Sequence, residues 1–102
     1  LVFILQRGVR FPQGPPNMFF VYLLLTKPNY NLSYVGWTNN LDKRIKQHNQ
    51  GKGAKFTKGR KWKLVYYETL NTKSDALKRE IELKSDRKLR NSIKKMYLNK
   101  IF

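Results

Sequence analysis

Three short runs of aromatic, β-branched and leucine residues, each bounded by turn or helix-capping residues, constrain the fold most strongly. These runs predict strands at 19–26, 32–37 and 63–70. The first two are separated by Lys-Pro-Asn-Tyr-Asn, which favours a turn, so they should pair as a hairpin. Apolar spacing and capping residues predict helices at 41–50, 72–84 and 86–95. The order β-β-α-β-α-α predicts an α+β fold, a small three-stranded antiparallel sheet flanked by helices.

The first seventeen residues differ from the rest of the chain. Residues 1–17 hold three of the four prolines, no acidic residue and no sustained strand or helix periodicity. We expect them to be a disordered or upstream extension, with Met18 as the natural translation start. The domain should then occupy residues 18–95, followed by a C-terminal tail at 96–102.

Positive charge dominates the composition. The chain has 22 Lys plus Arg against 6 Asp plus Glu, a net charge of +16 at pH 7. Such a small body would repel itself strongly unless a polyanion screened it, and nucleic acid is the usual polyanion. The absence of Cys excludes disulfides and thiolate zinc sites, and a single His leaves little room for a multi-histidine metal site. The longest apolar run, at 18–25, is far shorter than the roughly 20 residues of a membrane span, which predicts a soluble protein without a membrane partner.

An acidic residue interrupts the apolar stripe of the second predicted helix. Ala76, Leu77 and Ile81 mark that stripe, and Glu80 lies four residues after Ala76 and three after Leu77. Its carboxylate should therefore point toward the sheet, where an unpaired charge costs several kcal/mol. Two explanations are open: a salt bridge with an inward arginine, or a metal-binding or catalytic group.

The first predicted helix places a cation and an imidazole on its inner face. Arg44 lies three residues after Leu41, and His48 lies four residues after Arg44, along the face that Ile45 shares. His48 is either an ordinary half-buried helix residue or part of a site. Arg44 is a candidate partner for Glu80 and equally a candidate phosphate ligand.

The predicted hairpin contributes two tyrosines and a glycine. Tyr22 and Tyr34 lie near the middle of the two strands, and Gly36 faces the same way as Tyr34. A glycine inside a strand usually admits a close approach of backbone or ligand, or marks a bulge. Tyrosines are common packing residues in strands, but beside a guanidinium, an imidazole and a carboxylate they complete a set suited to phosphate chemistry.

A basic loop follows the first predicted helix. Residues 51–61 hold three glycines and five cations around Phe56, a composition that suits phosphate contact with an aromatic ring available to stack. Charge runs are also commonly just solvated faces. The predicted nucleic-acid-binding residues are Gly36, Lys52, Lys55, Lys58, Arg60 and Lys61.

The ordered set of these residues resembles the GIY-YIG nuclease domain. The similarity begins with Phe20-Val21-Tyr22 and Tyr34-Val35-Gly36, continues through Arg44 and the stretch at 48–52, and ends with Glu80. It covers about residues 18–95 and is strongest to small stand-alone bacterial members related to the N-terminal nuclease domain of the excinuclease C subunit. Phe20 and Val21 replace the Gly-Ile of the first motif, which should leave the tyrosine that follows in place.

The resemblance implies a metal-dependent endonuclease that hydrolyses DNA phosphodiester bonds. It implies that Tyr22 acts as general base toward the attacking water and that Tyr34 helps to orient the water or the phosphate. Arg44 would neutralise the scissile phosphate, and His48 occupies a position that the family fills with His or Tyr. Glu80 would hold Mg²⁺ or Mn²⁺. A free phenol has a pKa near 10, so the tyrosine base needs the arginine and a bound cation nearby.

Other functions compete with this one. A basic nucleic-acid-binding module, for RNA or the ribosome, would keep the fold without turnover. A nuclease active only when recruited by a partner protein, or as an oligomer, is a third hypothesis. For the nuclease, the expected substrate is DNA, with branched or damaged DNA and a DNA repair role among the candidates. The resemblance to bacterial members implies a cytoplasmic, nucleoid-associated protein.

Overall fold

The computed structural model describes the backbone of Val2–Phe3 and residues 18–102. The elements are β1 (Val2–Phe3), β2 (Phe19–Thr26), β3 (Ser33–Thr38), α1 (Leu41–Asn49), a short 3-10 helix (Lys55–Thr57), β4 (Trp62–Leu70), α2 (Lys73–Ser85) and α3 (Arg87–Ile101). The strands form one antiparallel sheet in the order β1-β4-β2-β3. The predicted α+β fold and its three-stranded antiparallel core are confirmed, and β1 adds two residues at the edge beside β4. The prediction for 1–17 otherwise lies outside the described residues.

The central strand β2 is covered on both faces. Its residues 20–26 are all buried, as expected for a continuous hydrophobic run in the middle of a sheet. One face packs against α2 and α3 through Val21, Leu23 and their neighbours. The other face packs against α1 through Tyr22, Leu24 and their neighbours. No helix among residues 18–102 is long and apolar enough to cross a bilayer.

A β-bulge in β4 directs neighbouring side chains to one face. Leu23 pairs with Tyr66 and Leu24 pairs with Leu64, so Val65 is the extra residue. Val65 and Tyr66 consequently both join the core cluster under α2 and α3. The alternation then resumes along β4.

The apolar stripe predicted for α2 is partly wrong. Leu77 and Ile81 are 39% and 66% exposed, and the buried face consists of Ala76 and Leu83. Since α3 also covers this face of the sheet, α2 contributes only a narrow stripe to the core. Glu80 lies four residues after Ala76 and three before Leu83, so it still faces inward.

Helix α3 continues six residues beyond its predicted end at residue 95. Asp86 caps its N-terminus by accepting a hydrogen bond from the Leu89 backbone N–H at 2.9 Å. Near its other end, Tyr97 is buried and its ring contacts that of Tyr30, with centroids 6.1 Å apart. Most of the segment predicted as a C-terminal tail is therefore helical and packed on the sheet.

A buried ion pair joins β4 to α2. The Tyr66 hydroxyl donates to Glu68 Oε2 at 2.5 Å, and Arg79 donates to both carboxylate oxygens, at 2.8 and 3.0 Å. Burial alone would raise the pKa of Glu68, but the hydrogen bonds from Arg79 and Tyr66 outweigh it and hold that pKa below its usual value. An inward arginine does pair with an inward acid, but the acid is Glu68 and not the Glu80 considered from the sequence.

Candidate active site

The register of β2 and β3 places both tyrosines on the α1 face of the sheet. Tyr22 pairs with Gly36 and Leu24 pairs with Tyr34, so their side chains point to the same side. A Cβ built on Gly36 would lie 2.5 Å from the Tyr22 hydroxyl oxygen, which no real side chain would tolerate. Glycine is therefore required here because the Tyr22 phenol lies directly over it. The predicted contact of Gly36 with nucleic acid stays a prediction.

A chain of hydrogen bonds runs from Tyr22 into the basic loop. The Tyr22 hydroxyl lies 2.8 Å from His48 Nε2, and His48 Nδ1 lies 2.8 Å from Thr57 Oγ1. The Thr57 hydroxyl donates its single hydrogen to the Ala54 carbonyl at 2.8 Å. It must then accept from His48, which assigns the proton to Nδ1 and leaves the lone pair on Nε2. His48 therefore accepts a hydrogen bond from the Tyr22 hydroxyl.

The pKa values of this pair favour the same protonation state. His48 is fully buried, and burial together with the nearby Arg44 charge lowers its pKa to about 4. Burial also raises the pKa of Tyr22 to about 12, although the Arg44 guanidinium offsets part of this effect, while Tyr34 and Glu80 add to it. At neutral pH the imidazole is neutral and the phenol is protonated.

Arg44 has a buried donor without an acceptor. Its Nη1 lies 3.4 Å from Gln47 Oε1, but its Nε is buried and finds no hydrogen-bond partner among the described residues. Arg44 and Glu80 form no ion pair, so that sequence hypothesis is wrong. A buried guanidinium N–H without a partner is costly, and an incoming phosphate oxygen is a suitable acceptor.

Glu80 of α2 is the acidic residue whose charge acts on Tyr22. Its side chain is 15% exposed, and Oε1 lies 3.3 Å from the ammonium of the exposed Lys84, while no hydrogen bond is formed by Oε2 within residues 18–102. No cluster of three or more His, Cys, Asp or Glu occurs in the described part of the chain. Mg²⁺ is commonly held by one or two carboxylates, with water and substrate phosphate completing its coordination. Glu80 fits that kind of site, since one oxygen is available and its other partner is a flexible lysine.

The basic loop closes over His48 and Tyr34. A Cβ on Gly53 would clash with His48 Nδ1, so the loop backbone contacts the imidazole directly. The Phe56 ring stacks on Tyr34 with an interplanar angle of 17° and centroids 6.4 Å apart. Trp62 Nε1 donates to the Thr57 carbonyl at 2.9 Å, which fixes the end of the 3-10 helix. The loop is therefore part of the site's structure as well as a carrier of charge.

The five cations predicted to bind nucleic acid are all exposed: Lys52, Lys55, Lys58, Arg60 and Lys61. Arg60 donates to the Phe56 carbonyl at 2.6 Å, and its guanidinium lies 5.0 Å from the centroid of that ring. Their role in binding stays a prediction, which their exposure permits.

The structure thus brings the predicted catalytic residues together around the Tyr22 hydroxyl. His48 bonds to it, the Tyr34 ring lies 5.0 Å from the imidazole between centroids, and the Arg44 charge lowers its pKa. Glu80 belongs to α2, and its link to this hydroxyl is electrostatic, since its charge raises the pKa of Tyr22. Sequence reasoning missed Thr57. A lone threonine in a basic loop carries no signal that it orients an imidazole nine residues earlier.

Comparison with known proteins identifies the family. Residues 18–94 match the model of the GIY-YIG catalytic domain, and the chain therefore belongs to the GIY-YIG family. This confirms the resemblance predicted from the sequence. Membership points to endonuclease activity in general, with DNA as the implied substrate and with the divalent metal dependence general to the family.

Curated relatives are small proteins of the UPF0213 group. The chain is 52% identical to a UPF0213 protein of Clostridium perfringens, over 66% of this chain and 71% of that protein. It is 49% identical to one of Staphylococcus epidermidis, over 65% and 79% of the two chains. It is 41% identical to the UPF0213 protein YazA of Bacillus subtilis, over 80% and 79%. No solved structure matches significantly.

Proposed function

We propose that this chain is a metal-dependent endonuclease that hydrolyses DNA phosphodiester bonds, with one divalent metal held by Glu80 and Tyr22 as the general base. The observation that carries the proposal is the hydrogen bond from the Tyr22 hydroxyl to the unprotonated Nε2 of a buried, neutral His48. This arrangement gives the phenol a place to deliver its proton. The buried structural tyrosine, Tyr66, donates instead to a carboxylate that Arg79 already pairs.

The hydrogen bond between Tyr22 and His48 would allow the phenol to act as a base in spite of its high pKa. With a pKa of about 12, Tyr22 is rarely ionised at neutral pH. It can accept a proton from the attacking water while its own proton passes to His48 Nε2, so free phenolate does not accumulate. The resulting hydroxide forms the new bond to phosphorus, and the bond from phosphorus to the leaving oxygen breaks.

Arg44 couples substrate binding to this proton transfer. Its unpartnered Nε can donate to a phosphate oxygen, which supplies the missing acceptor. Its positive charge is also one cause of the low pKa of His48. A phosphate anion beside the guanidinium offsets that charge, so the imidazole becomes a stronger base when substrate is present.

Glu80 would hold the metal, and Mg²⁺ or Mn²⁺ bound there would act as a Lewis acid that stabilises charge on the phosphoryl and leaving oxygens. Lys84 would have to release Glu80 Oε1 if both carboxylate oxygens were used. Because Lys84 is exposed and its ammonium is flexible, that release costs little.

The ion pair between Lys84 and Glu80 also favours a second candidate function. If the lysine holds the carboxylate permanently, the domain keeps its basic surface and binds nucleic acid without turnover. The net charge of +16 supports binding under either hypothesis.

One experiment separates the two functions. The purified chain and its Glu80→Gln variant would be incubated with single-stranded, duplex and branched DNA in Mg²⁺, Mn²⁺ or EDTA. We expect cutting that requires metal and is lost in Glu80→Gln. Glu82→Gln is the matched control, since Glu82 is an exposed acid on the same helix. Undiminished cutting by Glu80→Gln, or DNA binding by the parent chain without cutting on any substrate, would refute the proposed nuclease mechanism.

A further inference from the structure

A cavity of about 530 Å³ opens beside Arg44, and none of Tyr22, His48 and Thr57 lines it. Its lining combines two aromatic rings, three cations and several amide side chains, and it includes no acidic residue. The residues used below are Phe19, Trp37, Lys43, Arg44, Gln47 and Lys73. We refer to this cavity as the Trp37 pocket.

Trp37 presents a ring face to this pocket. Its indole is partly exposed and is tilted by 50° against Phe19, with centroids 6.3 Å apart. The ammonium of Lys73 lies 5.4 Å from the centroid of the indole. Lys73 is exposed and its cation–π contact is weak at such a site, so a flat ligand can displace it. A half-exposed indole bordered by lysines is typical of surfaces on which nucleic-acid bases stack.

Arg44 connects the Trp37 pocket to the proposed scissile phosphate. It lines the pocket, and its buried Nε has no partner among the residues described. A phosphate that accepts from this guanidinium carries a nucleoside on each side, and the pocket is the adjoining space. Lys43 and Lys73 also line the pocket and supply cations for flanking phosphates, and the amide of Gln47 can hydrogen-bond to a base edge.

We propose that the Trp37 pocket binds the base of an unpaired nucleotide next to the scissile phosphate, with the base stacked on Trp37 and the flanking phosphates on Lys43 and Lys73. The position of the scissile phosphate rests on the proposed function, but binding in the pocket does not. A base inside an intact duplex is stacked on both faces and cannot enter a cavity. The chain therefore binds single-stranded or locally opened DNA in preference to intact duplex.

Tryptophan fluorescence tests this inference without any cleavage. The chain has two tryptophans, and Trp62 is buried with its Nε1 hydrogen-bonded to Thr57, so quenching by a stacked base reports on Trp37. The probe is a short oligothymidylate, added in EDTA to the Glu80→Gln variant. We expect saturable quenching that is lost in Trp37→Ala, together with an affinity for a labelled strand about tenfold lower, in the range measured for alanine substitution of one stacking aromatic.

Three matched comparisons test whether binding in the pocket requires a base and the pocket's own cation. An abasic oligonucleotide of the same length and inorganic polyphosphate should bind through charge but leave the fluorescence unquenched. Lys73→Ala should weaken oligothymidylate binding more than Lys88→Ala, which removes one exposed cation from α3 outside the pocket. Circular dichroism would verify that each variant is folded.

The outcomes test the pocket proposal and the nuclease proposal separately. Equal quenching by the abasic strand or polyphosphate, or unchanged affinity in Trp37→Ala, would overturn the pocket proposal even if the chain cuts DNA. Base-dependent quenching that requires Trp37 would support it even if the chain cuts nothing, and in that case the proposed nuclease would be the part that fails.

Discussion

The two faces of the sheet each bury a tyrosine beside ionisable groups, but only one face satisfies them. Under α2, Tyr66 donates to Glu68, and Arg79 binds the same carboxylate through two nitrogens. The opposite charges neutralise each other, and the pKa of Arg79 rises because its hydrogen bonds to Glu68 favour the charged guanidinium. These contacts link β4 to α2 and give both oxygens of the carboxylate a hydrogen-bond donor.

Under α1, similar groups lack some of the hydrogen-bond or charge partners that they could bind. Arg44 has a buried Nε without a partner among the described residues, and His48 is kept neutral with its Nε2 lone pair directed at Tyr22. Glu80, which α2 contributes, pairs within residues 18–102 only with an exposed lysine. Incomplete partners cost stability, so they are retained where a substrate or metal supplies the missing contact. Both faces use similar residue types. What distinguishes the structural cluster from the candidate site is how completely the ionisable side chains are paired and hydrogen-bonded within the protein.

We expect the largest effect when the hydroxyl of Tyr22 is removed, and we compare it with removal of the Tyr66 hydroxyl on the other face. Tyr22→Phe should lower the cleavage rate by roughly 10² to 10⁴, the usual contribution of a general acid or base, while costing only about 1 kcal/mol of unfolding free energy. Tyr66→Phe is the matched control, which should keep cleavage and lose about 2 kcal/mol, because its hydrogen bond is to a charged acceptor. Single-turnover cleavage and urea unfolding measure both. Loss of activity in Tyr66→Phe equal to that in Tyr22→Phe would break the distinction between the faces.

Removal of each arginine should divide activity from stability between the two faces in the same way. Arg79→Met should lower the unfolding free energy by about 3 kcal/mol, since it leaves the buried Glu68 carboxylate unpaired, and should preserve cleavage. Arg44→Met should slow cleavage by about 10² to 10³ and leave stability unchanged or slightly higher, because the partly buried guanidinium it removes is incompletely paired. Urea unfolding and cleavage assays on both variants check this. A larger stability loss in Arg44→Met than in Arg79→Met would contradict it.

His48 should make stability depend on pH. Its pKa is about 4 in the folded chain against 6.5 for an ordinary histidine, so between these values the unfolded chain binds more protons. Stability from this group is therefore complete above about pH 6.5 and is lost as the pH falls toward 4, in total about 3 kcal/mol. Urea unfolding of the parent chain and of His48→Gln from pH 7.5 to pH 4 isolates the effect by difference. Parallel curves for the two proteins would show that His48 is not held neutral.

Much of the fold and part of the site follow from sequence spacing. The bounds of β2 were predicted correctly, because its apolar run ends at clear turn residues. The burial of His48 follows from its place seven residues after Leu41 on one helix face. Glu80 was placed inward although Leu77 and Ile81 proved exposed, because it borders both the predicted stripe and the real one.

The remaining contacts depend on how loops and elements meet in space. Thr57 reaches His48 because a 3-10 helix turns its hydroxyl toward the imidazole, and no periodicity links those two positions. Glu68 and Arg79 belong to different elements, and their pairing depends on the β4 bulge and on the rotation of α2. The Trp37 pocket is likewise assembled from β2, β3, α1 and the start of α2.

The smallest expected effect concerns Thr57, which positions His48 without touching substrate. Thr57→Val removes the acceptor for the His48 Nδ1–H, so the imidazole can adopt the other tautomer and Nε2 no longer always presents its lone pair to Tyr22. We expect cleavage about tenfold slower, a barrier increase of about 1.4 kcal/mol, and restored activity in Thr57→Ser.

Nitrogen NMR reads the tautomer directly, because the chain has a single histidine and its two ring nitrogens give separate signals. The parent chain and Thr57→Ser should show Nδ1 protonated, whereas Thr57→Val should show a mixture of tautomers. A merely structural threonine would lower stability without moving these signals. If Thr57→Val cleaved slowly but kept the Nδ1-protonated tautomer, the Thr57 hydroxyl would act in some way other than by orienting His48. The chain of hydrogen bonds that matters for Tyr22 would then end at His48.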